Sequence, residues 1–143
     1  MKKFLLTAAF ALFAAVLFTS CANKATANSQ QLARKWMLVS YKDYSKQTLT
    51  DRNAYIDLTK RNGDQYSAYA GCNRMFFTMK SPSAGKINIG QVGSTMMFCA
   101  DKMDVEGDFG KDLPEMTQYK IEGHKLVLTG NGKRMEFVAE DWD

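Results

Sequence analysis

The stretch "AYAGCNRMFF", Ala68–Phe77, decides how this chain is read. A β-rich run stops at Gly71-Cys72-Asn73 and resumes with Arg74, Met75, Phe76 and Phe77. Glycine within a strand pattern marks a bend, a bulge or a close backbone approach. Cys72 between Gly71 and Asn73 is open to four readings: a nucleophile, a metal ligand, half of a disulfide, or a packed bend. With strand composition on both sides, Gly71 and Asn73 read as a corner between two inward-facing faces of a curling sheet.

Working outward, glycine, asparagine and proline punctuate the chain into short strands. Upstream lie "WMLVSYKDY" (Trp36–Tyr44), "AYIDLTK" (Ala54–Lys60), the Asn-Gly turn "RNGD" (Arg61–Asp64) and "QYSAYAG" (Gln65–Gly71). An Asn-Gly pair suits a tight hairpin. Downstream lie "RMFFTMK" (Arg74–Lys80) and "INIGQVGSTMMF" (Ile87–Phe98), the latter strand-like but broken by Gly90 and Gly93. "TQYKIE", "KLVLT" and "KRMEFVA" close the chain as a meander. Met103–Met116 is the one plausible helix after the leader, because Val105, Phe109 and Leu113 recur at helical spacing. The expected fold is mainly β: a small curled antiparallel sheet or barrel of about eight strands with one short helix.

The ends organise the rest. "MKKFLLTAAFALFAAVLFTSC" has a basic start, an uncharged apolar run from Phe4 to Phe18 and small residues before Cys21. This is an export leader, too short for a spanning helix of about 20 residues. "LFTSC" resembles a bacterial lipobox, with Phe18 in place of the usual leucine. The resemblance implies that Cys21 is acylated and becomes the mature N-terminus. The expected organisation is a signal peptide over 1–20, the lipidated cysteine and a tether over 21–31, and one globular domain over 32–143. The precursor's net charge of +4 falls to +2 once Lys2 and Lys3 leave. That is too little to argue nucleic-acid binding.

Three cysteines are present, Cys21, Cys72 and Cys99. With Cys21 lipidated, an even pair remains in an oxidising compartment. A disulfide between Cys72 and Cys99 is hypothesised, against the alternative of two buried thiols. His124, the only histidine, sits in a Gly123-His124 turn with nothing to place it near a nucleophile. No phosphate loop or dinucleotide fingerprint appears, so no catalytic residue is assigned. "MMFCADKM" (Met96–Met103) offers thioethers and a thiol, donors that suit Cu(I) in an exported protein. Met97 and Cys99 nevertheless alternate like core residues and Met103 opens another element, so neither a metal nor any other cofactor is expected. Zinc would need paired cysteines or a histidine cluster.

"AGCNRMFF", "GKINIGQVGSTMMFC" and "YKIEGHKLVL", in this order and spacing, resemble the META/HslJ domain family. The resemblance runs from about residue 32 to 139, from Trp36 through Gly71-Cys72-Asn73-Arg74, Ile87–Gly90 and Ser94-Thr95 with Met97 and Cys99 to the helix. Ala100-Asp101 stands where many members have a proline, and Met96 where a basic residue is common. The resemblance implies a small barrel-like envelope domain, often a lipoprotein, with some members tied to heat shock, antibiotic tolerance or virulence. It brings no shared catalytic residues, and the fold also looks like that of small secretion-system pilot lipoproteins.

The function expected from this is a non-enzymatic binding or stress role on the envelope, with the lipid on the periplasmic face of the outer membrane. The alternatives are an apolar-ligand carrier and a pilot for another envelope protein. In the carrier, Met75, Phe77, Met79 and Met97 would line a pocket inside the barrel.

Overall fold

The computed structural model describes residues 30–61 and 63–142. The leader, Cys21 and the tether up to residue 29 lie outside the described residues. Nine strands form one antiparallel sheet: β1 Lys35–Tyr41, β2 Tyr55–Arg61, β3 Gln65–Tyr69, β4 Arg74–Ser83, β5 Lys86–Ile89, β6 Gly93–Ser94, β7 Gln118–Glu122, β8 Lys125–Gly130 and β9 Lys133–Ala139. Their order is β3-β2-β1-β9-β8-β7-β5-β4-β6, and β3 also pairs with β4. That last pairing closes eight strands into a barrel and leaves β6 outside, hydrogen-bonded to β4 at Met75 and Phe76. Closure removes most free sheet edges. The barrel expected from the sequence is thus the fold observed. Its thinnest seam joins β5 to β7 through Ile87 N–H to Thr117 and Tyr119 N–H to Gly85.

Period-two alternation decides which side chains enter the barrel. Trp36 and Leu38 on β1, Leu126 and Leu128 on β8, and Met135, Phe137 and Ala139 on β9 are buried. A register shift between Leu38 and Ser40 moves the phase by one residue, so Tyr41 turns inward and Ser40 outward. A one-residue slip reverses the faces in this way. The interior is one packed cluster, in which Met75 and Phe77 are both buried and Trp36 donates its indole N–H to Leu32 C=O at 3.0 Å.

Among the described residues the sheet is accompanied by α1, Lys46–Asp51, and α2, Met103–Asp112, which runs into a 3-10 turn at Leu113–Glu115. Helix α2 is the one read from the sequence. Its Val105 and Phe109, with Leu113 beyond, are fully buried against the core. Helix α1 was not expected. Ser45 caps it by accepting the Thr48 N–H, and Leu49 is its single buried anchor.

One strand reading is corrected. Ile87–Phe98 is not a continuous strand: pairing stops at Ile89 and returns only for Gly93–Ser94. Residues 95–98 carry no strand. Met97 is therefore 56% exposed and does not face the interior.

Candidate functional site

The corner at Gly71 is built by close approach. Its φ of +124° is unfavourable for residues with a Cβ, and a Cβ there would lie 2.8 Å from Cδ of Arg52. The Arg52 stem crosses this glycine, and its guanidinium reaches the Asp101 carbonyl and, at 3.6 Å, Asp104. Next to it, Cys72 and Cys99 form a disulfide with Cα atoms 5.9 Å apart. The cysteine of the corner is therefore a staple, tying the β3–β4 bend to the segment before α2.

Asn73, the third residue of the corner, is buried and engages all its polar atoms. Its Nδ2 donates to Glu106 Oε1 at 2.7 Å and to Met97 C=O at 3.0 Å. Its Oδ1 accepts from Met97 N–H at 2.7 Å and from the Thr95 hydroxyl at 2.8 Å. Glu106 Oε2 accepts the backbone N–H groups of Cys72 and Asn73 at 3.0 and 2.5 Å. A primary amide has two donors and two acceptor positions, and here every one is used. The Asn73 side chain thus pairs with Met97 as a neighbouring strand would, which explains why residues 95–98 need no strand of their own.

The held segment is unusually apolar for its exposure. Met96 is 97% and Phe98 86% exposed, and Met103 at the start of α2 is 39% exposed. Together with Met75, Val92 and Met97 they border a surface groove of about 470 Å³, with Asn73 and Glu106 among its walls. Gly107 and Gly110 of α2 line its other side. Exposed apolar side chains gathered in one patch mark a contact surface more often than scattered ones do.

The four side chains expected to line an interior pocket are dispersed. Met75 and Phe77 belong to the packed core. Met79, half-buried, borders a small recess of about 110 Å³ with Leu32, Leu58 and Tyr66. Met97 lies outside the barrel, in the groove. They do not share one cavity.

A second polar cluster lies at the other end of α2. Buried Asp112 accepts from Tyr41 Oη at 2.7 Å and Lys133 Nζ at 2.7 Å, with Lys42 Nζ at 3.2 Å. Lys42 also meets Asp108 at 2.8 Å, and Lys133 meets Glu115. Burial works to raise the Asp112 pKa, but hydrogen bonds from Lys133, Tyr41 and Lys42 outweigh it and hold the carboxyl below its ordinary range. Burial, then the bond to Asp112, pushes the Tyr41 phenol far above its ordinary value. Asp108 raises the Lys42 ammonium, and Asp112 with Glu115 raises that of Lys133. Tyr41, Lys42 and Lys133 border a cleft of about 360 Å³, yet each is held away from neutrality, where a general acid or base works best. The arrangement acts as a staple between α2, β1 and β9. His124 stacks on Trp142 with ring centroids 3.7 Å apart and lies 3.5 Å from Arg34 Nη1.

Sequence reasoning found the corner and both cysteines but not the Asn73–Glu106 pair or the groove. The legible signal was Glu106 itself, a carboxylate three residues before Phe109 on the apolar side of α2.

Residues 30–142 match the META domain family. Among solved structures, the chain is similar to an NMR structure of a protein from Burkholderia xenovorans, with TM-score 0.67 and 19% identity over 81% of this chain and 88% of that one. A second NMR structure is similar at TM-score 0.54 and 16% identity, over 80% and 95% of the two chains. The crystal structure of a duf4847 family protein from Bacteroides vulgatus is similar at TM-score 0.51 and 12% identity, over 82% and 99%. At these identities the likeness is one of fold. No match was found among curated proteins.

Proposed function

The chain belongs to the META domain family, and from that premise we propose that it is a non-enzymatic, lipid-anchored envelope protein that grips an apolar segment of another envelope protein. Cys21 carries the anchor in this reading, on the periplasmic face of the outer membrane, and the work is binding or maintenance under stress. The observation that carries the contact is the groove of Met96, Met97, Phe98 and Met103, held in place by Asn73 and the Cys72–Cys99 bridge.

The geometry favours a protein over the bilayer as occupant. Leu32, where the tether meets the barrel, lies beside Met79 and Ser81 near the end of β4. The groove lies at the Arg74 end of the same strand. Four to six strand residues, a rise of about 13–20 Å, separate Met75 at the groove from Met79 and Ser81 beside Leu32, so the groove does not adjoin the place where the chain enters the barrel. In this reading the groove faces away from the anchoring membrane and toward another protein. A lipid carried inside the barrel is less well supported, because the interior is a packed cluster. Catalysis is also less well supported, since the buried polar groups are committed to one another.

The test is photocrosslinking in the native envelope from a reactive residue placed at Phe98. We expect a discrete protein adduct that is lost in Met96→Asp, with the melting temperature of that variant unchanged. Crosslinks to lipid alone, or an adduct indifferent to Met96→Asp, would overturn the reading.

A further inference from the structure

We propose that the groove is also a thioether site for a soft monovalent cation, Cu(I), with Met96, Met97 and Met103 as ligands and Met75 at its floor. Four of the chain's nine methionines border this one groove. Methionine used as packing fills irregular gaps inside a core. Three of these four are exposed and fill no gap. The alternation that made Met97 look like core is absent, because Asn73 holds that segment as a loop.

The donor inventory of the groove is the second argument. The amide of Asn73 and the carboxylate of Glu106 are each engaged by backbone or side-chain partners. The two thiols are joined to each other. The thioether sulfurs are the remaining soft donors. They are neutral and soft, so they select Cu(I) over Mg²⁺, Ca²⁺ or Zn²⁺. Among the described residues no three His, Cys, Asp or Glu side chains come together as an alternative metal site. Thioethers also suit an oxidising compartment, since, unlike thiols, they cannot be withdrawn into disulfides.

The loop is held before any ion arrives. Met97 is fixed through both of its backbone polar groups, and Cys99, two residues on, is fixed by the bridge. With the backbone held, only the methionine side chains remain to be ordered on binding, a smaller cost than ordering loop and side chains together. Binding requires no redox step and no proton release, because a thioether carries none.

The site stands apart from the protein-contact reading, since methionine and leucine are similarly apolar and only methionine has the sulfur. The test is an NMR titration of the disulfide-bonded mature protein, methionine methyls labelled, with Ag(I) and then with Cu(I) under a mild thiol-free reductant. The methyls of Met96, Met97 and Met103 are expected to shift and saturate at one equivalent, while those of buried Met116 and Met135 stay in place. The triple change Met96→Leu, Met97→Leu, Met103→Leu is expected to weaken binding at least ten-fold while leaving the melting temperature unchanged. Unmoved methyls, unchanged affinity in the leucine variant, or equal shifts with Zn²⁺ would each overturn the site.

Discussion

The side-chain amide of Asn73 takes both backbone polar groups of Met97, donating to its carbonyl at 3.0 Å and accepting its N–H at 2.7 Å. One asparagine thereby replaces a strand neighbour and sets where the exposed Met96 and Phe98 stand. Glu106 is the base of this arrangement, because it receives three N–H donors from Cys72 and Asn73.

Removing that carboxylate strands buried donors. Glu106→Ala should lower stability by about 3 kcal/mol in urea unfolding, the scale of leaving buried donors without acceptors. Glu106→Gln keeps one acceptor oxygen but turns an NH₂ toward donors, and should cost about 1–2 kcal/mol. A Glu106→Ala midpoint equal to wild type would show that the corner does not depend on this residue.

The bridge acts on the unfolded chain. Cys72 and Cys99 are 27 residues apart. A loop of that length should give about 3–4 kcal/mol in the chain-entropy model. The double change Cys72→Ser, Cys99→Ser should lose that much and still fold, because Asn73 and Glu106 tie the same two segments. Mass spectrometry of unreduced protein should recover one peptide pair joining Cys72 to Cys99. Two free thiols in exported protein would contradict it.

The strands were legible because their apolar residues alternate against turn residues of defined chemistry. Gly63 of the Asn-Gly turn, for instance, has φ +82°. Helix α2 was legible because Val105, Phe109 and Leu113 share a face. Helix α1 was not, since six residues with one buried anchor show no period, and its start rests on the Ser45 cap. The misread segment is instructive. Met97 and Cys99 carry a strand's alternation, but a long-range side-chain amide supplies the backbone pairing. Nothing within a local window encodes a partner 24 residues away. The groove was illegible for the same reason, because it depends on that loop facing outward.

The Asp112 cluster should shape the pH profile on both sides. The Asp112 carboxyl is depressed in the folded state, so its contribution is complete above the unfolded carboxylate range. It is lost as pH falls below about 4. Tyr41, Lys42 and Lys133 are raised, so theirs is complete below about pH 10 and lost as pH climbs beyond. Urea midpoints should therefore be flat from about pH 5 to 9 and fall at both ends. Asp112→Asn leaves two ammonium groups facing a neutral amide. It should lower the plateau by about 3 kcal/mol and flatten the acid limb. An unchanged acid limb would assign the acid sensitivity to other carboxylates.

Two glycines should respond in opposite directions. Gly107 lies within α2 with open space where a Cβ would go. Gly107→Ala should stabilise by about 0.5–1 kcal/mol through helix propensity. Gly130 ends β8 against the 3-10 turn, where a Cβ would lie 2.8 Å from Met116 Cα and closer still to the Glu115 carbonyl. Gly130→Ala should cost more than 3 kcal/mol or force the turn to move, a scale reserved for severe packing or backbone conflicts. Thermal melts of the two variants, run beside wild type, give both signs at once.

The barrel interior provides the last test, because a packed core and a lipid pocket respond oppositely to truncation. Phe77 is buried on β4 in the same cluster as Met75, and its ring centroid lies 6.0 Å from that of Tyr66. In a close-packed interior Phe77→Ala removes those contacts and leaves a cavity, costing about 3–5 kcal/mol. In a lipid-filled barrel the guest would repack into the space, and little stability would be lost. Native mass spectrometry of wild type from its own membranes should accordingly show the chain's mass, with the Cys21 anchor where present, and no second lipid. A co-purified acyl chain released by Phe77→Ala, together with a nearly unchanged melt, would move the ligand from the outer groove to the interior. A large loss of stability with no guest would rule out the interior pocket and leave the surface groove as the candidate contact site.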